Sequence, residues 1–211
     1  ATQRGIEFIA KAQRAEGGWR YEPGQAGDTS VFGWQVMALR SAQLSGVSVP
    51  DGAIRNALRY LDRAQADEKG ATYAYQPGAK ATPVMTAEAL LIRQYLGWDR
   101  RNATLVAGAA EIARHLFQSK ERNIYYWYYA TQMLHNLQNA DWRRWNLMVR
   151  EGLIGMQVKG RHCDRGSWDP AKPQGDQWGG RAGRLFTTSL SLLTLEVYYR
   201  YLPLYETASA R

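Results

Sequence analysis

The stretch AEGGWRYEPGQAGDTS, residues 15–30, lies between two segments with helical periodicity. Its end reads as a helix start. Asp28, Thr29 and Ser30 precede an apolar-periodic run from Val31, and such side-chain oxygens accept from the unpaired N–H groups of a first helical turn. Gly17-Gly18 permits a tight, positive-φ chain reversal. A reversal alone does not require Trp19, so the stretch calls for an explanation from the rest of the chain.

The rest of the chain repeats it. Four segments with helical pattern end in glutamine, at Gln13, Gln65, Gln118 and Gln157. Each is followed by a polar or glycine-containing stretch with aromatics: GGW at 17–19, GATYAY at 70–75, NIYYWYY at 123–129 and GSW at 166–168. A second helical segment then begins, in three cases near threonine: Thr29, Thr86 and Thr187-Thr188. The first helix of each pair is amphipathic, with stripes such as Ile54, Leu58, Leu61 and Ala64, or Leu105, Ala109, Ile112 and Leu116. The second, as in VMTAEALLIRQYL and LFTTSLSLLTLEVYY, is apolar on most sides. A one-sided helix faces water and an all-round apolar helix is covered, so the alternation predicts outer and inner helices stacked as hairpins. Eight helices are predicted, near 3–14, 29–45, 51–65, 83–97, 103–118, 126–138, 143–158 and 184–202, with a flexible tail over 203–211. The repeat domain is read as residues 1–202. No β pattern is visible.

Composition bounds the function. The chain has 211 residues, 45% hydrophobic and 22% charged, which suits one globular domain with a real core. The net charge of +8 is carried by scattered residues, with doublets only at Arg100-Arg101 and Arg143-Arg144, so there is no specific nucleic-acid signal. Cys163 is the only cysteine and leaves the redox compartment open. Residues 185–205 are the most apolar, but Arg184, Glu196 and Arg200 argue for a buried helix rather than a membrane span.

Residues 4–19, RGIEFIAKAQRAEGGW, resemble the Gln-Trp repeat of the terpenoid cyclase/protein prenyltransferase superfamily, especially its squalene–hopene cyclase branch. Arg4, Gly5, Phe8, Gln13, Gly17 and Trp19 carry the match. Arg150, Gly152, Gln157, Gly166 and Trp168 repeat it, and the copies at Gln65 and Gln118 are degenerate. The resemblance implies an all-α fold, an α/α toroid whose central cavity is rimmed by inner-helix N-termini. About four hairpins are visible, fewer than a full ring, so an incomplete ring or a piece of a longer chain is expected. It also implies structural roles for Gln13, Trp19, Gln157 and Trp168: the glutamine ties down a neighbouring helix start and the tryptophan stacks over it.

The chemistry implied by that superfamily is mostly missing. Cyclases of this kind protonate an alkene from an Asp-x-Asp-Asp-Thr motif. The matching stretch here is Gln25-Ala26-Gly27-Asp28-Thr29, which leaves Asp28 as the one candidate acid and, on a structural reading, a helix cap. Prenyltransferases hold zinc with Asp, Cys and a later His. The cluster His162, Cys163, Asp164 has another order, and His115 and His135 both precede it, so no cofactor, zinc included, is expected. The stretch GSWDPAKPQGDQWGGRAGR, 166–184, gathers Trp168, Asp169, Asp176, Trp178 and Arg184 in one long loop. Aromatics beside paired carboxylates suit a sugar ring, while GGRAGR reads as a flexible lead into the last helix. In the run 125–129, YYWYY, not every ring can be buried from alternate faces, so some are expected to face a cavity.

The sequence therefore points to a repeat domain without cyclase activity. It would bind a small apolar, glycan or protein ligand near Asp28, Thr86, Trp127, His135, Trp168, Asp169, Asp176, Trp178 and Arg184. The alternatives are isoprenoid (terpenoid) cyclisation or prenyl transfer, with Asp28 catalytic, and a carbohydrate-active toroid using Asp169 and Asp176.

Overall fold

The computed structural model describes residues 1–115, 122–200 and 204–205. Gln118, and the proposed tail apart from Leu204 and Tyr205, lie outside the described residues. The chain is all-helical: α1 (Thr2–Ala12), α2 (Thr29–Leu44), α3 (Asp51–Ala64), α4 (Pro83–Tyr95), α5 (Ala103–Arg114), α6 (Ile124–Leu137), α7 (Ala140–Met156) and α8 (Gly179–Arg200). Among the described residues, extended pairing is confined to isolated bridges. The helices group into two compact units, Ala1–Gly108 and Ala109–Arg211.

In the first unit α2 packs on α1, α3 and α4. α3 is amphipathic, but its buried face is Ala53, Ala57, Tyr60, Leu61 and Ala64, with Ile54 and Leu58 of the expected stripe half-buried. α4 is buried without interruption from Met85 to Gln94. In the second unit α6 packs on both α7 and α8. Two starts differ from the sequence expectation because asparagine caps were overlooked. Asn123 Oδ1 accepts from Tyr126 N at 2.9 Å, so α6 begins at Ile124. Asn139 Oδ1 accepts from Trp142 N at 3.0 Å, so α7 begins at Ala140.

Of the aromatic run 125–129, Tyr126, Trp127, Tyr128 and Tyr129 are buried and Tyr125 is half-buried. Two expectations are corrected. α8, read as apolar all round and therefore covered, buries only the stripe Thr187, Leu190, Ser191, Thr194 and Val197. Leu185 and Tyr199 stay 80% and 78% exposed. GGRAGR is not a flexible lead: Gly179 opens a helical turn, and the chain kinks at Gly183, where φ is +72°.

Candidate functional site

The repeated glutamine marks a repeated backbone corner. α1, α3 and α7 each end at glutamine with nearly the same extended backbone: Gln13 at φ −64°, ψ 130°; Gln65 at −58°, 137°; Gln157 at −63°, 132°. The next N–H then donates to the carbonyl just before the aromatic. The pairs are Arg14 to Gly18 at 3.0 Å, Ala66 to Thr72 at 2.9 Å and Val158 to Ser167 at 2.9 Å. The aromatics that follow, Trp19, Tyr73 and Trp168, are all buried. The corner at Gln65, degenerate in sequence, is regular in geometry.

The Gln13 side chain joins the corner to the start of α3: Nε2 donates to Gly17 O at 2.9 Å and to Ala53 O at 3.0 Å, and Oε1 accepts from Asn56 Nδ2 at 3.5 Å. Gln157 Nε2 likewise donates to Gly166 O at 2.9 Å. The tryptophans cap helix ends. Trp19 Nε1 donates to Ile9 O and Trp168 Nε1 to Leu153 O, both at 2.8 Å. Each acceptor is the first of the last four carbonyls of its helix, which have no partner within the helix. Trp168, expected at a ligand surface as well, therefore belongs to the frame. At the middle corner Tyr73 takes that place, and its hydroxyl accepts from Arg93 Nε at 3.0 Å, while Arg93 Nη2 pairs with Asp62 Oδ1 at 2.6 Å. Threonines join the corners to α2, α4 and α8. Thr29 Oγ1 donates to Ala74 O and Thr187 Oγ1 to Trp168 O, both at 2.7 Å, and Thr86 Oγ1 accepts from Tyr73 N at 3.0 Å.

Asp28 is fully buried and is the N-cap of α2. Its Oδ1 accepts from Val31 N at 2.9 Å and Ser30 Oγ at 2.7 Å. Its Oδ2 has no hydrogen-bond partner and faces Arg20 Nε at 3.6 Å. The Arg20 guanidinium also lies 5.9 Å from the Tyr75 ring centroid. Burial, a hydrogen bond with Tyr21 and the Asp28 charge push the Tyr75 hydroxyl up to about 12.

The loop after Trp168 is organised by two arginines. Arg184 reaches Asp169 Oδ2 at 2.7 Å and Ser167 Oγ at 3.0 Å. Asp169 Oδ1 accepts from the N–H groups of Ala171 and Lys172 at 2.8 and 3.2 Å. The Ala171 N–H, then Arg184, hold its carboxyl below the ordinary value, against the opposing effect of burial. Asp176 is buried, with Oδ2 accepting from Ile124 N at 2.9 Å and Oδ1 from Trp178 N at 3.0 Å. Both carboxylates are thus engaged with loop and helix backbone. Trp178 is 41% exposed.

Arg122 was missed by sequence reading. It is buried, and Nη1 donates to three carbonyls, Asp169 at 2.8 Å, Lys172 at 2.5 Å and Gln174 at 3.0 Å. Burial lowers its pKa, with Asp176 and Asp169 opposing that shift. A single arginine in a polar stretch carries no pattern that announces such a role. Replacing Arg122 by Met keeps the bulk and leaves three carbonyls short of a donor, so urea denaturation should show a loss of about 3 kcal/mol. An unchanged midpoint would contradict this account of the loop.

Trp127 and His135 are buried within α6, and the His135 ring meets Trp142 edge-on at 4.9 Å between centroids. Asp28 and Thr86 belong to the first unit, whereas Trp127, His135, Asp169, Asp176, Trp178 and Arg184 belong to the second. Of the candidate metal ligands, Cys163 is exposed and Asp164 faces Arg184 at 3.9 Å. Among the described residues no group of three or more His, Cys, Asp or Glu is placed to hold a metal ion, and no helix is long and apolar enough to cross a membrane. No protein-family model matches the chain, and no curated protein matches it.

Proposed function

We propose that the chain is a helical-hairpin repeat module of the squalene–hopene cyclase and prenyltransferase kind, arranged as part of an α/α toroid, that binds a ligand or protein without cyclising it. The observation that carries the reading is the glutamine-to-aromatic corner, repeated with one backbone geometry at Gln13, Gln65 and Gln157. Repeats built on one corner stack their hairpins in one sense, as solenoids and toroids do. The absence of cyclisation is supported by what the carboxylates already do. Asp28 is engaged as the N-cap of α2 and faces Arg20. Asp169 and Asp176 hold backbone N–H groups.

The test is incubation of the full chain with an all-trans C30 polyprene and, separately, with an allylic prenyl diphosphate and a cysteine-bearing peptide. Mass spectrometry should recover the polyprene, the diphosphate and the peptide unchanged. A cyclic or prenylated product that disappears in Asp28→Asn overturns the reading. That variant keeps its fold, because asparagine caps a helix about as well as aspartate.

A further inference from the structure

The three corners share a frame but differ in the loop they carry. The first is QRAEGGW (13–19), the second QADEKGATY (65–73) and the third QVKGRHCDRGSW (157–168). In the two shorter loops Arg14, Glu16 and Asp67 are engaged, whereas Glu68 and Lys69 form no ion pair among the described residues. Arg14 pairs with Glu16 at 3.3 Å and donates to Gly24 O at 2.9 Å. Asp67 accepts from the N–H groups of Lys69 and Ala71 and from the Thr72 hydroxyl. The third loop is the longest and carries three cations, Lys159, Arg161 and Arg165. Lys159, Arg161 and Arg165 form no ion pair among the described residues. The one acid of the loop, Asp164, is turned towards Arg184. These three cations line an open hollow of about 450 Å³, whose remaining wall includes Gln157 and Gly166. The base of the loop is fixed by Val158 N to Ser167 O and Gly166 N to Val158 O, both at 2.9 Å.

An insertion confined to one copy of a repeated corner is where repeat proteins place binding groups. Two arginines and a lysine that line one hollow and form no ion pair among the described residues favour a compact multivalent anion. We propose that the 157–166 loop is a binding site for a phosphate group carrying more than one negative charge, as a phosphate monoester or diphosphate does. The group comes either from a soluble phosphorylated small molecule or from a phospholipid headgroup. The inference is independent of the toroid reading above.

The experiment is calorimetric titration of the full chain with inorganic pyrophosphate at an ionic strength of about 0.15 M, where diffuse surface charge is largely screened. Saturable binding is expected. The triple variant Lys159→Gln, Arg161→Gln, Arg165→Gln should weaken it by about tenfold or more. The control Arg4→Gln, Arg55→Gln, Arg63→Gln removes the same charge from exposed positions of the first unit and should leave it unchanged. Circular dichroism checks that both variants remain helical. No saturable binding by the wild-type chain, or an equal loss in the control, overturns the proposal. Sedimentation with phosphatidylcholine vesicles containing phosphatidic acid separates the sources. Vesicle binding lost in the site variant supports the headgroup, and pyrophosphate binding without vesicle binding supports a soluble ligand.

Discussion

Gly17→Ala should destabilise the first unit by about 3 kcal/mol or more, from two separate causes. Gly17 has φ of +95°, a region where a Cβ meets its own backbone. A Cβ at this position would also fall 1.9 Å from Asn56 O, a backbone atom of α3 that no rotamer change can move aside. The corner is pressed against α3 at this point, and Gly18 continues the contact, with a Cβ there only 2.7 Å from the Tyr60 ring. The paired glycines therefore let the loop touch a neighbouring helix, beyond making the reversal itself. Gly24→Ala separates the two causes, because Gly24 has φ of +91° but nothing within 4 Å of its Cβ position. Gly24→Ala should cost only about 1 kcal/mol. Urea denaturation followed by tryptophan fluorescence reads both, and equal losses would mean that the approach to α3 is not what fixes Gly17.

Trp168→Ala should cost the second unit about 3–5 kcal/mol, the usual range for removing a large buried aromatic. The residue is 1% exposed, and its loss opens a void between α7 and the loop while leaving Leu153 O without its donor. Trp168→Phe fills most of the void and removes only the indole N–H, so it should cost about 1–2 kcal/mol. The ratio between the two variants measures how far the tryptophan acts as a wedge and how far as a cap. Should Phe prove as damaging as Ala, the hydrogen bond to the end of α7 would be the dominant contribution.

Helix content was legible from periodicity. The one-sided pattern of α3 and the apolar run of α4 differ in sequence as they differ in burial, although on α3 the buried face runs through Ala53, Ala57 and Tyr60 and leaves Ile54 and Leu58 half-buried. The cap at Asp28 was legible too, because capping is a local interaction between a side chain and the next turn. The starts of α6 and α7 were not, since Asn123 and Asn139 sit in polar runs where several residues could cap. Tyr73 looked like a failed copy of a tryptophan. Its equivalence rests on backbone geometry and on Arg93, twenty residues further along the chain.

By itself the sequence determined an all-helical chain in which glutamine closes α1, α3 and α7 and a turn with an aromatic follows it. These features are written in spacings of a few residues. The tertiary structure alone decided which partner each polar group takes. It gave the indoles to helix-end carbonyls, the Gln13 amide to α3, and Arg122 to three carbonyls some fifty residues away. It also placed Lys159, Arg161 and Arg165 along one hollow. The physical reason is that a buried donor must find an acceptor wherever packing places one, and packing brings together residues that no local pattern connects.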